Sequence, residues 1–133
     1  MHPFPTLRRR ALQAAAFALC APFAALAGSL GIAPTGNIDP EHRYPSMFEP
    51  IHGSAFDIMG KGLANPVGTF WSCVMLLEHL GEFDAAQRLM RAIEQVTANP
   101  ALHTGDLGGK ATTAQVTQAV CELLTASLQR KAA

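Results

Sequence analysis

The sequence predicts an α/β fold that is mostly helical and has only a few short strands. Prolines and glycines are so frequent between residues 28 and 61 that no long helix can form there. Beyond residue 65, in contrast, apolar residues recur at the three- and four-residue spacing of buried or amphipathic helices. With 133 residues, 49% of them hydrophobic, the chain is long enough for one domain.

The first 27 residues have the pattern of a secretory signal peptide. Three arginines at residues 8–10 precede an apolar run, no acidic residue occurs before Asp39, and Ala25-Leu26-Ala27 is a small-x-small cleavage pattern. We therefore expect cleavage after Ala27 and a periplasmic or secreted product. Because the three arginines leave with the signal, the net charge would change from 0 to about −3.

An amphipathic or membrane-anchoring helix is the alternative for this segment. Gln13 and Pro22 interrupt an apolar run that is already shorter than the roughly 20 residues a spanning helix needs, so we expect no stable membrane span. Residues 7–13 also loosely fit the twin-arginine export pattern, although three arginines are common in ordinary signal peptides too.

The loop-rich segment is followed by a strongly apolar helix. Residues 46–51 are predicted to form a short strand, and residues 30–33 are a second candidate. Asn65 then offers an N-cap and Pro66 a first helical position for a helix that ends before Gly81. Because this helix is apolar around most of its circumference, we expect it to be buried on several sides, within a larger body than this chain.

Two further helices complete the prediction. The first of them is predicted over residues 84–98, with an apolar stripe on one side and a polar, solvent-exposed face on the other. Asn99-Pro100 ends this helix. The last helix begins at the Thr112-Thr113 cap and ends in Arg130 and Lys131, which suit the negative end of a helix dipole.

Several functional classes find no support in the composition. The basic residues are dispersed and the expected mature chain is acidic, so nucleic acid is not an expected partner. Cys73 and Cys121 fall within helical apolar periodicity, which predicts buried thiols rather than a disulfide or metal ligands. His79 and His103 lack metal-ligand spacing and are predicted to be surface or structural residues. Gly60-Lys61-Gly62 lacks the spacing of a phosphate-binding loop.

Several short motifs follow one another in order after residue 27. They are Gly28-Ser29-Leu30-Gly31-Ile32-Ala33-Pro34, Phe48-Glu49-Pro50-Ile51-His52-Gly53-Ser54-Ala55, Asp57-Ile58, Gly60-Lys61-Gly62, Ala64-Asn65-Pro66 and Asp106-Leu107-Gly108-Gly109. In this order they resemble the C-terminal third of the decarboxylating dehydrogenases of 3-isopropylmalate, isocitrate, tartrate and D-malate. Asn37-Ile38 and Lys110-Ala111-Thr112-Thr113 make the sequence most similar to the tartrate/D-malate branch.

This resemblance implies a fold and a cofactor. Residues 28–133 would be the C-terminal NAD-binding part of a partial isopropylmalate-dehydrogenase-like fold. Complete members of that family would be cytoplasmic, NAD-dependent homodimers that use magnesium or manganese; whether this chain dimerises is left open.

The resemblance also assigns the adenosine half of the cofactor to named residues. His52 would lie against the adenine, and the backbone of Gly53, Ser54 and Ala55 would approach the dinucleotide closely, which glycine permits. Asn65 would reach the adenine edge while capping its helix. A departure from the family pattern occurs at Phe56, where proline is usual, and it puts the rigidity of this turn in question.

The resemblance also implies which residues lie near the two riboses of the cofactor. Asp57 would accept hydrogen bonds from the adenosine ribose and repel the extra phosphate of NADP, so NAD is the expected cofactor. We expect its binding to be weak, because half of the family's site is missing. Glu49 would lie toward the nicotinamide ribose, with Leu30 and Gly31 near the same end. Taken singly, these residues have ordinary explanations: His52 as a loop histidine, Asp57 as a turn residue and Glu49 as a solvated charge. Their joint order within the family pattern favours the cofactor roles.

The residues expected for catalysis are not found in the sequence. By resemblance, two metal-binding aspartates should precede the Gly28 motif, but Phe17 and Ala21 occupy those positions. We therefore expect a truncated dehydrogenase with no catalytic residue and no metal ligand of its own, inactive alone. Two alternatives stay open: half of a two-chain oxidoreductase, and an exported module for NAD binding or protein interaction.

Overall fold

The computed structural model describes residues 28–41 and 43–132, so the predicted signal peptide lies outside the described residues. The described part combines three helices with two short strands, as the sequence predicts. Its elements are β1 (Pro34–Asn37), β2 (Met47–Pro50), α1 (Val67–His79), α2 (Phe83–Thr97) and α3 (Thr113–Ala132), with 3₁₀ turns at Leu30–Ile32, Pro100–Leu102 and Gly105–Leu107.

Strands β1 and β2 form an antiparallel pair in which Thr35 lies opposite Glu49 and Gly36 opposite Phe48. The pairing extends one step further, because the Ile51 N–H donates to the backbone oxygen of Ala33 at 3.0 Å. The strand predicted over residues 46–51 is therefore confirmed in β2.

The second candidate strand, residues 30–33, was wrong. Leu30–Ile32 is a 3₁₀ turn because Ser29, in extended conformation, accepts the Gly31 N–H on its side chain and so starts a turn. The extended conformation begins only after this turn, at Pro34. A local side-chain cap thus overrides the apolar pattern of a short segment.

Asp39 organises the loop between the two strands. Its carboxylate accepts the N–H groups of Glu41, Arg43 and Tyr44, at 3.3, 2.9 and 2.8 Å. Desolvation opposes the effect of these donors, but together with the Arg43 charge they hold the pKa of Asp39 below its ordinary value of 3.8. The loop therefore depends on an ionised carboxylate.

Helix α1 begins at Val67, one residue after the predicted first position Pro66, and the Asn65 side-chain oxygen accepts the Val67 N–H at 3.0 Å. The helix packs against both strands and the first 3₁₀ turn. The approach is close at Gly68, where a Cβ would lie 2.7 Å from the backbone oxygen of Gly31. Only a residue without a side chain permits this contact.

Helix α2 lies between α1 and α3 and supplies the largest share of the core. Its buried side chains pack with those of its two neighbours; the buried set is Val67, Val74, Ala86, Leu89, Ala92, Ile93, Val96, Ala111, Val116 and Val120. Helix α3 begins with a reciprocal cap, since Thr112 and Gln115 each bond the other's backbone N–H with a side-chain oxygen.

Within the described residues, α1 is covered by both strands, the first 3₁₀ turn and α2, and its remaining face is exposed. Val67 and Val74 are buried, whereas Leu76 and Leu80, at the end of the helix, are exposed.

The prediction of buried thiols was wrong, because Cys73 and Cys121 are both exposed free cysteines. Both cysteines lie on helices that are only partly covered by their neighbours. Apolar periodicity predicted a helix around each cysteine but could not show that the thiol lies on the exposed face. None of the helices in the described part is both long and apolar enough to cross a membrane.

We expect Gly68→Ala to lower the free energy of unfolding by about 1–2 kcal/mol. Alanine favours the helix by about 1 kcal/mol. Its Cβ, however, would meet a backbone oxygen that cannot rotate away, so we expect the overpacking cost to lie at the upper end of its usual range, about 2–3 kcal/mol. Urea unfolding monitored at Trp71 measures the change. Thr69→Ala, at an exposed position one residue on, is the control and should shift stability by less than about 0.5 kcal/mol. A Gly68→Ala variant as stable as this control would contradict the packing argument.

Candidate cofactor-binding site

A cleft of about 920 Å³ opens between the loop after β2 and the turn before α3. Residues 52–65 form most of its wall, and Gly105 and Asp106 face them from the other side. The full lining is Gly31, His52, Gly53, Ser54, Ala55, Ile58, Met59, Gly60, Gly62, Leu63, Ala64, Asn65, Gly105, Asp106 and Thr113. The volume is in the range of small-molecule and cofactor sites.

One wall of the cleft is apolar and open to solvent. Ile58 is half-buried, whereas Met59 and Leu63 are 69% and 50% exposed. Large apolar side chains left uncovered inside a concave surface are typical of a site that receives a flat apolar group. The wall can therefore cover one face of an aromatic ring system.

The loop that lines the cleft contains one residue with a strained backbone conformation and a glycine that faces open space. Ala55 has φ of 42°, the one positive value at a non-glycine residue in the described part. Its oxygen accepts the Ile58 N–H at 3.0 Å, which helps to hold that conformation. Strain of this kind persists only where the surroundings impose it and is frequent at binding sites. The backbone at Gly53 faces open space, since a side chain there would meet no described atom within 4 Å.

Three side chains donate hydrogen bonds to Asp106 at the floor of the cleft. Its carboxylate accepts hydrogen bonds from the hydroxyls of Ser29 and Thr104 and, at 3.1 Å, from the side-chain nitrogen of Asn65. Ser29, Asn65 and Thr104 are buried, whereas Asp106 is itself exposed. Gly31 lies so close that a Cβ there would be 2.9 Å from the carboxylate. The cleft floor is thus built around one charged group.

These hydrogen bonds keep the carboxylate ionised. Burial would raise the pKa of Asp106, but the bonds from Ser29, Thr104 and Asn65 outweigh burial and hold the pKa below its ordinary value of 3.8. Each donor bonds the charged form, and hydrogen bonds to an ionised group are stronger than those between neutral groups. The site therefore carries a negative charge at neutral pH.

Helix α3 fixes the far end of the loop. The Thr113 N–H donates to the Gly62 oxygen at 2.9 Å, and the Thr113 hydroxyl donates to the Ala64 oxygen at 2.5 Å. Residues 62–65 are consequently held at both ends, by α3 and by the Asn65 cap of α1. This part of the cleft wall is preformed.

The structure brings together part of the predicted cofactor set. Gly31, His52, Gly53, Ser54, Ala55 and Asn65 line the cleft. Leu30, Glu49 and Asp57 are exposed and do not belong to its lining. Asp57 lies in the turn that carries Phe56, which is also exposed.

Two residues at the site, Thr104 and Asp106, were not assigned a role from the sequence, and Thr113 was assigned only a helix cap. Asp106 belongs to a short motif ending in two glycines, and a carboxylate beside such a turn is a usable signal. Its partner Ser29 is 77 residues away, however, and spacing cannot reveal such a contact.

The histidines outside the cleft have structural contacts. The Nε2 atom of His103 donates to the backbone oxygen of Thr97 at 2.8 Å, and the ring of His79 lies 5.4 Å from that of Phe48. In the described part of the chain, no group of three His, Cys, Asp or Glu side chains is arranged to hold a metal ion.

The sequence profile of the isocitrate/isopropylmalate dehydrogenase family matches residues 19–121. A probable tartrate dehydrogenase/decarboxylase from Agrobacterium vitis is 69% identical over 103 residues, which are 77% of this chain and 28% of the relative. The decarboxylating D-malate dehydrogenase of Escherichia coli (strain K12) is 46% identical over 105 residues, 75% of this chain and 29% of the relative.

Solved structures show the same likeness. Isocitrate dehydrogenase from Methylococcus capsulatus matches with a TM-score of 0.70 at 40% identity, over 76% of this chain and 30% of that one. A beta-decarboxylating dehydrogenase from Thermococcus kodakarensis matches with a TM-score of 0.71 at 39% identity, over 80% of this chain and 30% of that one. The chain thus spans less than a third of the length of these relatives.

We expect stability to fall on acidification through the titration of Asp106. Its pKa is lower in the folded chain than the ordinary value of 3.8, so the unfolded chain binds the proton more tightly. The stabilisation is present above pH 4 and is lost as the pH falls through the folded value. Urea unfolding between pH 2.5 and 6 measures this slope.

Asp106→Asn should flatten the slope, and Asp39→Asn, which removes a second carboxylate of lowered pKa, serves as the comparison. The two effects should add, because the two groups share no hydrogen-bond partner. A slope unchanged by Asp106→Asn would show that the carboxylate does not contribute.

Proposed function

Because the chain belongs to the isocitrate/isopropylmalate dehydrogenase family, we propose that its cleft binds the adenosine half of NAD. The protein would be the cofactor-binding part of a decarboxylating 2-hydroxy-acid dehydrogenase of the tartrate/D-malate type. The observation that carries this proposal is the cleft itself, whose lining contains Gly31, Asn65 and the continuous stretch 52–55. Those residues are the ones to which the family resemblance assigns the cofactor.

The residues present fit such a group. The open apolar wall of Ile58, Met59 and Leu63 suits one face of an adenine. The imidazole ring of His52, in the same cleft, is available to stack on the adenine ring. At Gly53 the backbone can approach a ligand without a side chain in the way. When bound in a complete enzyme, NAD would accept a hydride from the hydroxy acid.

Three exposed residues would complete the cofactor contacts outside the cleft lining. Asp57 would accept hydrogen bonds from the adenosine ribose, and its charge would oppose the 2′-phosphate of NADP. Leu30 and Glu49 would lie toward the nicotinamide end. Their exposure leaves them accessible to a bound dinucleotide.

We propose that the chain alone does not catalyse the family reaction. Decarboxylation needs a divalent ion, magnesium or manganese in this family, to polarise the substrate carbonyl, and such an ion needs carboxylate ligands. Phe17 and Ala21 stand at the positions where the resemblance places the metal-binding aspartates. We assign no metal ligand and no catalytic residue to this chain.

Two other functions compete with this one. The chain could supply half of a two-chain oxidoreductase, which is favoured by the exposed apolar side chains Leu76, Leu80 and Phe83. It could instead be an exported module that binds NAD or another protein, which is favoured by the signal-like residues 1–27.

We expect NAD to bind more tightly than NADP, by at least about tenfold. The 2′-phosphate would be placed near the uncompensated carboxylate of Asp57, and about 1.4 kcal/mol of repulsion is enough for that ratio. Isothermal titration calorimetry of the purified chain with each dinucleotide measures the difference. Asp57→Asn should narrow the ratio, whereas Asp39→Asn, in the strand loop, should leave it unchanged. Tighter binding of NADP by the wild-type chain would refute the assignment of Asp57.

We expect no reduction of NAD by D-malate, tartrate or 3-isopropylmalate, with magnesium or manganese present and with or without residues 1–27. With Phe17 and Ala21 at the positions expected for the metal-binding aspartates, we assign the chain no metal ligands, and general acid–base catalysis alone contributes only about 100- to 10,000-fold. Absorbance of NADH at high protein concentration measures turnover. Activity that persists after host dehydrogenases are excluded would refute the proposal, and activity that requires an added second chain would support the two-chain alternative.

We expect export with cleavage after Ala27. The arginines at residues 8–10, the apolar run and the Ala-Leu-Ala pattern direct the chain to the secretion machinery. Mass spectrometry of periplasmic and cytoplasmic fractions from a bacterial host should find a product beginning at Gly28 in the periplasm. Replacing the three arginines with glutamate should retain the full-length chain in the cytoplasm. Wild-type protein found intact and only in the cytoplasm would contradict the signal hypothesis.

A further inference from the structure

We propose that Asp106 is a positioning residue that fixes the side-chain amide of Asn65 so that Asn65 meets a bound cofactor as a hydrogen-bond donor. The inference rests on the proposed binding of NAD in the cleft. It adds a role for Asp106, which lines the same cleft beside Asn65.

The orientation of the Asn65 amide is determined at both of its ends. Its oxygen accepts the Val67 N–H at 3.0 Å, and its nitrogen donates to Asp106 at 3.1 Å. A flipped amide would place its nitrogen against the Val67 N–H and its oxygen against a carboxylate, so both contacts would become repulsive. The two contacts therefore select a single orientation.

This orientation determines what Asn65 can offer a ligand. An amide nitrogen carries two hydrogens, and Asp106 accepts one of them. The oxygen is already engaged by the helix cap. The remaining N–H suits an acceptor on the ligand, such as a ring nitrogen of adenine.

Asp106 can hold Asn65 in place because it is itself held. The hydroxyls of Ser29 and Thr104 donate to its two carboxylate oxygens, one to each. The absence of a side chain at Gly31 lets this group sit close to the first 3₁₀ turn. Ser29 and Thr104 are 8% and 1% exposed, so water competes little for these bonds.

A double-mutant cycle tests the coupling. Asp106→Asn, Asn65→Ala and the double variant are compared with the wild-type chain in NAD binding by calorimetry and in urea unfolding. We expect Asp106→Asn to weaken NAD binding about tenfold when Asn65 is present and not to weaken it further in the Asn65→Ala background. Asp39→Asn is the control and should leave binding unchanged. Equal losses of affinity in both backgrounds would overturn the positioning role.

A second measurement does not need the cofactor. The side-chain amide resonance of Asn65, assigned by the Asn65→Ala variant, should lie away from those of solvent-exposed amides and should move toward them in Asp106→Asn. An Asn65 resonance that does not move in the Asp106→Asn variant would overturn the inference even if NAD binds. If the wild-type chain binds no NAD but the resonance moves as expected, the proposed function fails and the orienting contact of Asp106 with Asn65 is supported.

Discussion

The hydrogen bonds to the carboxylate of Asp106 hold together segments that are far apart in the sequence. Ser29 precedes the first 3₁₀ turn, and Asn65 caps α1. Asp106 belongs to the last 3₁₀ turn, 77 and 41 residues beyond them, where Thr104 adds a local bond. Without a shared charged acceptor, these buried donors would lack partners, at a cost of about 1–3 kcal/mol each. The position of the cleft floor therefore depends on this one group.

Close backbone contact around Gly31 is the second condition for the same arrangement. On one side a Cβ would collide with the Asp106 carboxylate, and on the other the Gly31 oxygen lies where a Cβ of Gly68 would be. The first turn is thus packed between the carboxylate and α1. Helix α1, whose cap residue Asn65 also bonds Asp106, is tied to the cleft through both contacts. Packing and polar contacts here support each other, which is typical of preformed sites.

The described part of the chain combines a formed cleft with an incomplete covering of its helices. The cleft wall is fixed by α3 through Thr113 and by the cap of α1. In contrast, Leu76, Leu80 and Phe83 are exposed around the end of α1 and the start of α2. The matched segment is less than a third of each relative, so other segments are available there to cover such surfaces. In the described part of the chain, a formed cleft therefore does not require full burial of the helices.

The helices and the loop of the site could be predicted from the sequence because their signals are local. The Asn65 cap, the three helices and the strand ending at Pro50 each depend on neighbouring residues or on a regular spacing. The prediction of a strand over residues 30–33 was wrong for a related reason. A single side-chain cap by Ser29 favours a 3₁₀ turn there over a strand. The exposed faces of Cys73 and Cys121 could not be predicted, because periodicity marks an apolar helix but not which neighbours cover it.

The sequence by itself determined the helical segments, the order of the motifs and the glycine-bearing loop that lines the cleft. Tertiary structure decided which of the predicted residues share that cleft and which, like Leu30, Glu49 and Asp57, lie outside its lining. It also revealed Asp106 as the common partner of Ser29, Asn65 and Thr104. The physical reason is that helix and turn formation are short-range, whereas a buried hydrogen-bond donor is satisfied by whichever acceptor the packed chain brings to it.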